Sequence, residues 1–196
     1  MGFTLTPTIA HRRDGAYSIS LIDRMGFTLT LKLAPNSTHL ILNARTTIPA
    51  TGGQITATVI KDGAAVVESS GQPNVPFAIE IPSPEQWSPE NPFLYNLSVS
   101  YGTDHVGSYF GMRDVTVGSD SAGNVRPCFS GTYRFLTGVL DQNFWSDGVY
   151  LAPGDAAMVY DLHAIKMFGH NFVRLHQVTP FDLHDCCLQA SFLGVV

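Results

Sequence analysis

At 196 residues, 44% of them hydrophobic, the chain can form one large domain or two small ones and has ample material for a core, which excludes disorder throughout. Eleven basic against sixteen acidic side chains leave a net charge of -5 with no basic cluster, so a nucleic-acid binder's electrostatic footprint is missing. Apolar runs stop well short of the roughly 18 residues a membrane span needs, and residues 1–7 lack a cationic leader with an apolar core, so the expectation is a soluble chain with no membrane partner and no export signal.

From residue 1 to about 117 the sequence reads as short extended segments. Leu29-Thr30-Leu31-Lys32-Leu33 alternates apolar and polar, as a strand with one buried face must, because successive side chains point to opposite sides. A turn at Pro35-Asn36-Ser37 precedes His39 to Ala44, a second extended run. Thr56 to Ile60 enters Lys61-Asp62-Gly63 and Ala64 to Glu68 leaves it, the Asp-Gly signature of a hairpin. Phe77 to Ile81, Leu94 to Ser100 and Val106 to Phe110 follow, and seven or eight strands at this spacing suggest a two-sheet sandwich.

Beyond Arg113 the texture changes. Residues 118–124 are small and polar and read as a loop between the halves, and Tyr133 to Leu140 is extended. Asp155 is placed to cap a helix carrying Met158, Leu162 and Ile165 on one face, with Lys166 in its last turn and Gly169 just beyond. Asn171 to His176 is extended again, completing a strand, helix and strand. Phe181 to Phe192 suggests a second helix and Leu193 to Val196 the start of a third strand. Parallel strands normally lie under helices on both faces, so this half calls for further sequence downstream.

Three segments, in this order, resemble glycoside hydrolase family 2, the group of β-galactosidases, β-glucuronidases and β-mannosidases. Trp87-Ser88-Pro89-Glu90-Asn91-Pro92-Phe93-Leu94-Tyr95-Asn96-Leu97 is similar to the W-x-P-x-x-P-x-L-Y-x-L stretch of the family's immunoglobulin-like domain. Phe110-Gly111-Met112-Arg113 is similar to the F-G-x-R that closes that domain, and Phe135 to Gln142, Trp145 to Gly148 and Ala164 to His176 resemble the opening of its barrel. The resemblance implies a multidomain β plus α/β chain: an immunoglobulin-like β-sandwich over 1–117, a linker over 118–130, and the truncated beginning of a (β/α)8 barrel over 131–196. The family's preceding jelly-roll domain has no counterpart here. After Pro180 the outline persists, but with a longer Pro-to-Gly spacing and an altered Asp-Cys order at Asp185-Cys186-Cys187.

A retaining glycosidase needs two carboxyl groups about 5–5.5 Å apart, one to protonate the leaving oxygen and one to attack the anomeric carbon. In the family these glutamates follow the fourth and seventh barrel strands, and neither matches a position in this chain. The resemblance therefore implies a glycoside hydrolase type whose catalytic residues are absent here, leaving the chain inactive alone, with a carbohydrate as partner only in the complete enzyme. Arg174 and His176 resemble pocket residues of the family, the arginine orienting the nucleophile, a task suited to a guanidinium that grips a carboxylate by two hydrogen bonds. Asp141 and Trp145 follow the first barrel strand, where a carboxylate could accept sugar hydroxyls and an indole could pack on a ring. The bland readings are a strand-end ion pair for Arg174, a backbone partner for His176, a turn for Asp141 and a half-buried core residue for Trp145; Trp87 and Tyr95 read as sandwich core or domain-interface residues. The alternative function is a non-catalytic sandwich module that binds a carbohydrate or a protein. No cofactor is expected, and His163, His170, His176, His184, Cys186 and Cys187 lack metal-ligand spacing. Cys128, Cys186 and Cys187 read as free thiols. Asn36-Ser37-Thr38 and Asn96-Leu97-Ser98 match the N-glycosylation acceptor pattern, which chance also produces often.

Overall fold

Alternating side chains along the extended segments build two sheets with a shared core, antiparallel except where the edge strand at Phe3–Thr4 pairs parallel with its neighbour. The structure, a computed structural model, describes residues 3–4, 18–22, 27–33, 38–46, 53–142, 144–149 and 151–175, with backbone alone before residue 38 and at Leu175. The chain divides into two compact units, Met1–Gln86 with Phe93–Thr132, and Trp87–Pro92 with Tyr133–Val196.

In the first unit, β1 (Phe3–Thr4), β2 (Ser18–Ile22), β3 (Phe27–Leu33), β4 (His39–Thr46), β5 (Ile55–Lys61), β6 (Ala64–Gly71), β7 (Phe77–Glu80), β8 (Tyr95–Tyr101) and β9 (Asp104–Phe110) form two sheets, of order β1-β9-β8-β5-β6 and β2-β3-β4-β7. Leu40, Leu42 and Ala44 of β4 and Ile79 of β7 meet Ile55, Ala57 and Val59 of β5 and Leu97 and Val99 of β8 in one buried cluster. Period-two alternation sends the odd members of β8 inward, beginning with Tyr95, and the even members outward. The Tyr95 ring stacks on Phe110 at 5.4 Å and takes the edge of Phe93 at 4.9 Å, while its hydroxyl accepts the Glu85 backbone N–H at 2.7 Å. A buried phenol thus finds the polar partner its position demands. The expected hairpin is present: Asp62 (φ 50) and Gly63 (φ 81) form a two-residue turn with both central residues left-handed, the geometry that matches strand twist.

Residues 118–130 are strand and turn. β10 (Val115–Ser119) pairs antiparallel with β11 (Val125–Phe129), and β12 (Thr132–Tyr133) adds a third strand. The polar run read as a loop is the hairpin's turn. Asp120 organises it, with Oδ1 accepting the backbone N–H groups of Ala122 (3.0 Å) and Asn124 (2.9 Å) and Oδ2 accepting Arg126 Nε at 3.0 Å. These bonds favour the carboxylate and hold its pKa down to about 2, the Asn124 backbone N–H contributing most.

In the second unit, β13 (Gly138–Asp141), α1 (Asp155–Met167) and β14 (Phe172–Leu175) follow in order, with β13 and β14 parallel. The helix forms where expected, with Met158 and Leu162 buried, but its N-cap is Gly154 without a side-chain bond, and Asp155 is the acidic residue of the first turn. At the other end the Gly169 N–H reaches the Lys166 carbonyl at 2.9 Å and the His170 N–H the Ile165 carbonyl at 3.3 Å. Gly169 (φ 84) makes this left-handed stop possible. The run expected to be extended from Tyr133 to Leu140 is broken: Arg134 to Thr137 belong to no strand. The expected helix at 181–192, the strand at 193–196, the turn at 35–37, His184 and the Cys186-Cys187 pair lie outside the described residues.

Candidate functional site

Two parallel strands and the helix that joins them position the candidate residues. Asn171 fixes the entry to β13: its Oδ1 accepts the Thr137 N–H at 3.0 Å, its Nδ2 donates to the Phe135 carbonyl at 2.9 Å, and its own N–H donates to the Thr137 carbonyl at 2.9 Å. From there Gly138 faces Phe172, Val139 faces Val173, Leu140 faces Arg174 and Asp141 faces Leu175. Gly138 is required by close approach, since a Cβ there would stand 2.1 Å from the Phe172 carbonyl oxygen.

Strand alternation sorts the candidates onto two faces. Val173 is fully buried, as are Met158 and Leu162 of α1, and Val139 is half-buried. Leu140 and Arg174, one residue on in each strand, are exposed on the opposite face. Asp141, two residues beyond Val139, lines a shallow groove with Val139, Leu140, Asp161, Ala164, Ile165 and Phe168. The structure therefore separates Asp141 from Arg174, placing them on opposite faces of the two-stranded sheet. Trp145 is half-buried in a tight reversal in which it exchanges backbone hydrogen bonds with Val149 at 2.8 and 3.1 Å. His176 lies outside the described residues.

Asp161 of α1 joins Asp141 in the groove. Its pKa is raised, first by desolvation and then by the charge of Asp141. The signal that could have paired them is the helix crossing itself, which returns the chain beside the end of β13. The Asn171 side chain, which the motif from Ala164 to His176 does not single out, sets where β13 begins. Among the described residues, no group of three His, Cys, Asp or Glu side chains is arranged to hold a metal ion, and no helix is long and apolar enough to cross a membrane. Tyr95 lies in the sandwich core, whereas Trp87 is buried in the second unit.

The model of the glycosyl hydrolases family 2 matches residues 20–113, the stretch that builds most of the two-sheet unit. Over these residues the chain is similar to glycoside hydrolase family 2. Solved structures of the same fold include an FMN-binding β-glucuronidase from Faecalibacterium prausnitzii L2-6, with a TM-score of 0.69 at 21% identity over 87% of this chain and 27% of that one. The β-D-glucuronidase of Dictyoglomus thermophilum gives a TM-score of 0.65 at 18% identity over 87% and 28%, respectively. A β-galacturonidase of the family from Eisenbergiella tayi, solved with galacturonate, gives 0.61 at 18% identity over 98% of this chain and 32% of its own. The chain thus spans well under half the length of these relatives. No curated protein matches it.

Proposed function

We propose that this chain is the sandwich and the first part of the (β/α)8 barrel of a retaining β-glycosidase of family 2, and that it does not hydrolyse glycosides by itself. The observation carrying this reading is the β13-α1-β14 unit that follows the sandwich, with Arg174 exposed on the face away from the helix. In a (β/α)8 barrel the helices form the outer ring, so the face away from α1 is the one that would look into the barrel. Leu140 would then belong to the barrel interior, and Arg174, near the C-terminal end of β14, would approach the rim where catalytic groups of such barrels sit. A guanidinium there suits the holding of a nucleophilic carboxylate by two hydrogen bonds. Asp141, on the helix side, is poorly placed to share that task; Trp145 and His176 remain candidates for the pocket wall.

Hydrolysis needs two carboxyl groups across the scissile bond. Asp141 and Asp161, which the second unit brings together, line a groove beside the helix to which Arg174 does not contribute. The 196-residue chain should leave nitrophenyl β-glucuronide, β-galactoside and β-mannoside uncleaved. Reproducible turnover abolished by Arg174→Ala would overturn the inactive reading. The coding sequence that follows should encode an Asn-Glu pair and a later Glu, and in such a longer product Arg174→Ala should lower kcat by roughly 10²-fold, the scale of a mispositioned reacting group. The second reading, a sandwich module that binds a carbohydrate or a protein, draws on the self-contained core of the first unit; calorimetry showing no heat with millimolar sugars would count against its carbohydrate form.

A further inference from the structure

Asn96 belongs to β8, between β5 and β9 in the five-stranded sheet, opposite Ile60 on one side and Tyr109 on the other. Asparagine is among the residues depleted from strands. Its backbone serves both ladders, yet no hydrogen bond from its carboxamide is found among the described residues, and the side chain is exposed. Leu97, the next residue, is 1% exposed in the core, so Asn96 and Ser98 stand together on the outward face. A slip of one residue would bury the asparagine and expose the leucine. The sequence Asn96-Leu97-Ser98 has the acceptor pattern with a permitted middle residue.

We infer that Asn96 is an N-glycosylation site, its glycan standing on the outer face of the β5-β8-β9 sheet when the chain is made in a secretory lumen. The donor is an oligosaccharide on a polyprenyl pyrophosphate. A bond forms between Asn96 Nδ2 and the anomeric carbon, the anomeric carbon–oxygen bond to the pyrophosphate breaks, the amide loses one proton, and the lipid pyrophosphate leaves. Transfer must precede the pairing of β8 with β5 and β9, since a strand held on both edges cannot enter a transferase cleft. The finished fold then has to leave room for the product, and the exposed Asn96 carboxamide supplies it. Tyr109, directly across the ladder, is placed for its ring to pack on the first sugar. The glycan would also add solvation to a chain with only 14% charged residues. This inference is independent of the proposed glycosidase reading.

The test is translation of the full chain behind a cleavable secretion leader with microsomes, with a reporter acceptor sequence appended at the C-terminus to show translocation. Peptide mapping after enzymatic glycan release in heavy-oxygen water should find Asn96 converted to labelled aspartate. Asn36→Gln should leave that signal, Ser98→Thr should keep it, and Asn96→Gln and Ser98→Ala should each abolish it. The glycosylated chain should keep the near-ultraviolet circular dichroism of the released one. A modified reporter beside an unmodified Asn96 overturns the inference, and so does a glycan found only on chains that have lost their tertiary signal.

Discussion

The two units finish their cores to different degrees. In the first, inward residues of both sheets meet in a cluster whose members are at most a few per cent exposed, and the phenol buried among them has its hydroxyl bonded. In the second, the fully covered apolar side chains on β14 and α1 are Val173, Met158 and Leu162, while Phe135 (73% exposed), Tyr160, Met167 (83%) and Phe168 (80%) face solvent together with Leu140, Phe144 and Leu151. Parallel strands need cover on both faces, whereas an antiparallel sandwich closes over its own inner faces. The difference teaches that completeness of a core is a property of topology as much as of composition, since the second unit, the less covered of the two, is the more apolar in sequence.

The largest test of that contrast is Leu97→Ala, which should destabilise the first unit by about 2–5 kcal/mol through lost burial and a residual cavity. Both tryptophans, Trp87 and Trp145, belong to the second unit. In urea, tryptophan fluorescence should therefore change at lower denaturant than far-ultraviolet circular dichroism, which is dominated by the sandwich, and Leu97→Ala should shift only the latter. Coincident transitions would break the comparison. Next in size, Gly138→Ala should abolish the β13-β14 pairing, because its Cβ meets a backbone oxygen that cannot swing aside. Hydrogen exchange would show it as lost protection at residues 139–141 and 172–174, with β5 and β8 unaffected.

Tyr95→Phe keeps the ring in the core but leaves the Glu85 N–H without its acceptor, at an expected cost of about 1–2 kcal/mol read from the same dichroism transition. The smallest effect concerns acid. Asp120 has a pKa lowered to about 2, so its contribution to the β10-β11 hairpin is present above the ordinary carboxylate value of about 3.9 and is lost as pH falls through that range towards 2. Carbon-13 titration of the Asp120 carboxyl should give a midpoint near 2, and Asp120→Asn should remove the low-pH loss of hairpin protection. An ordinary midpoint would show that the turn's bonds are not maintained in solution.

Much of this could be read from the residues themselves. Asp62-Gly63 announced its turn because only small or left-handed-tolerant residues fit there, and Met158, Leu162 and Gly169 announced the helix and its stop. The turn at Asp120 to Asn124 was visible but not its strands: Val125, Arg126 and Pro127 carry no clean alternation, and the hairpin is held by Asp120 bonding across the turn. Of the candidate site, the strand carrying Arg174 was legible from its apolar run. The opposition of Asp141 and Arg174 was not, because the face each takes depends on the register of two strands brought together by a helix.

By itself the sequence determined which segments extend, where the chain reverses, and through three ordered motifs the family it resembles; the first two depend on local periodicity and on residue types that tolerate particular backbone angles. Only the tertiary structure decided that Tyr95 joins the sandwich core while Trp87 goes with the second unit, that Asp161 stands beside Asp141, and that Asn96 points to solvent in the middle of a sheet. Those outcomes rest on which strand lies against which. Pairing of distant segments is set by the packing of the whole core, which no short stretch of sequence contains.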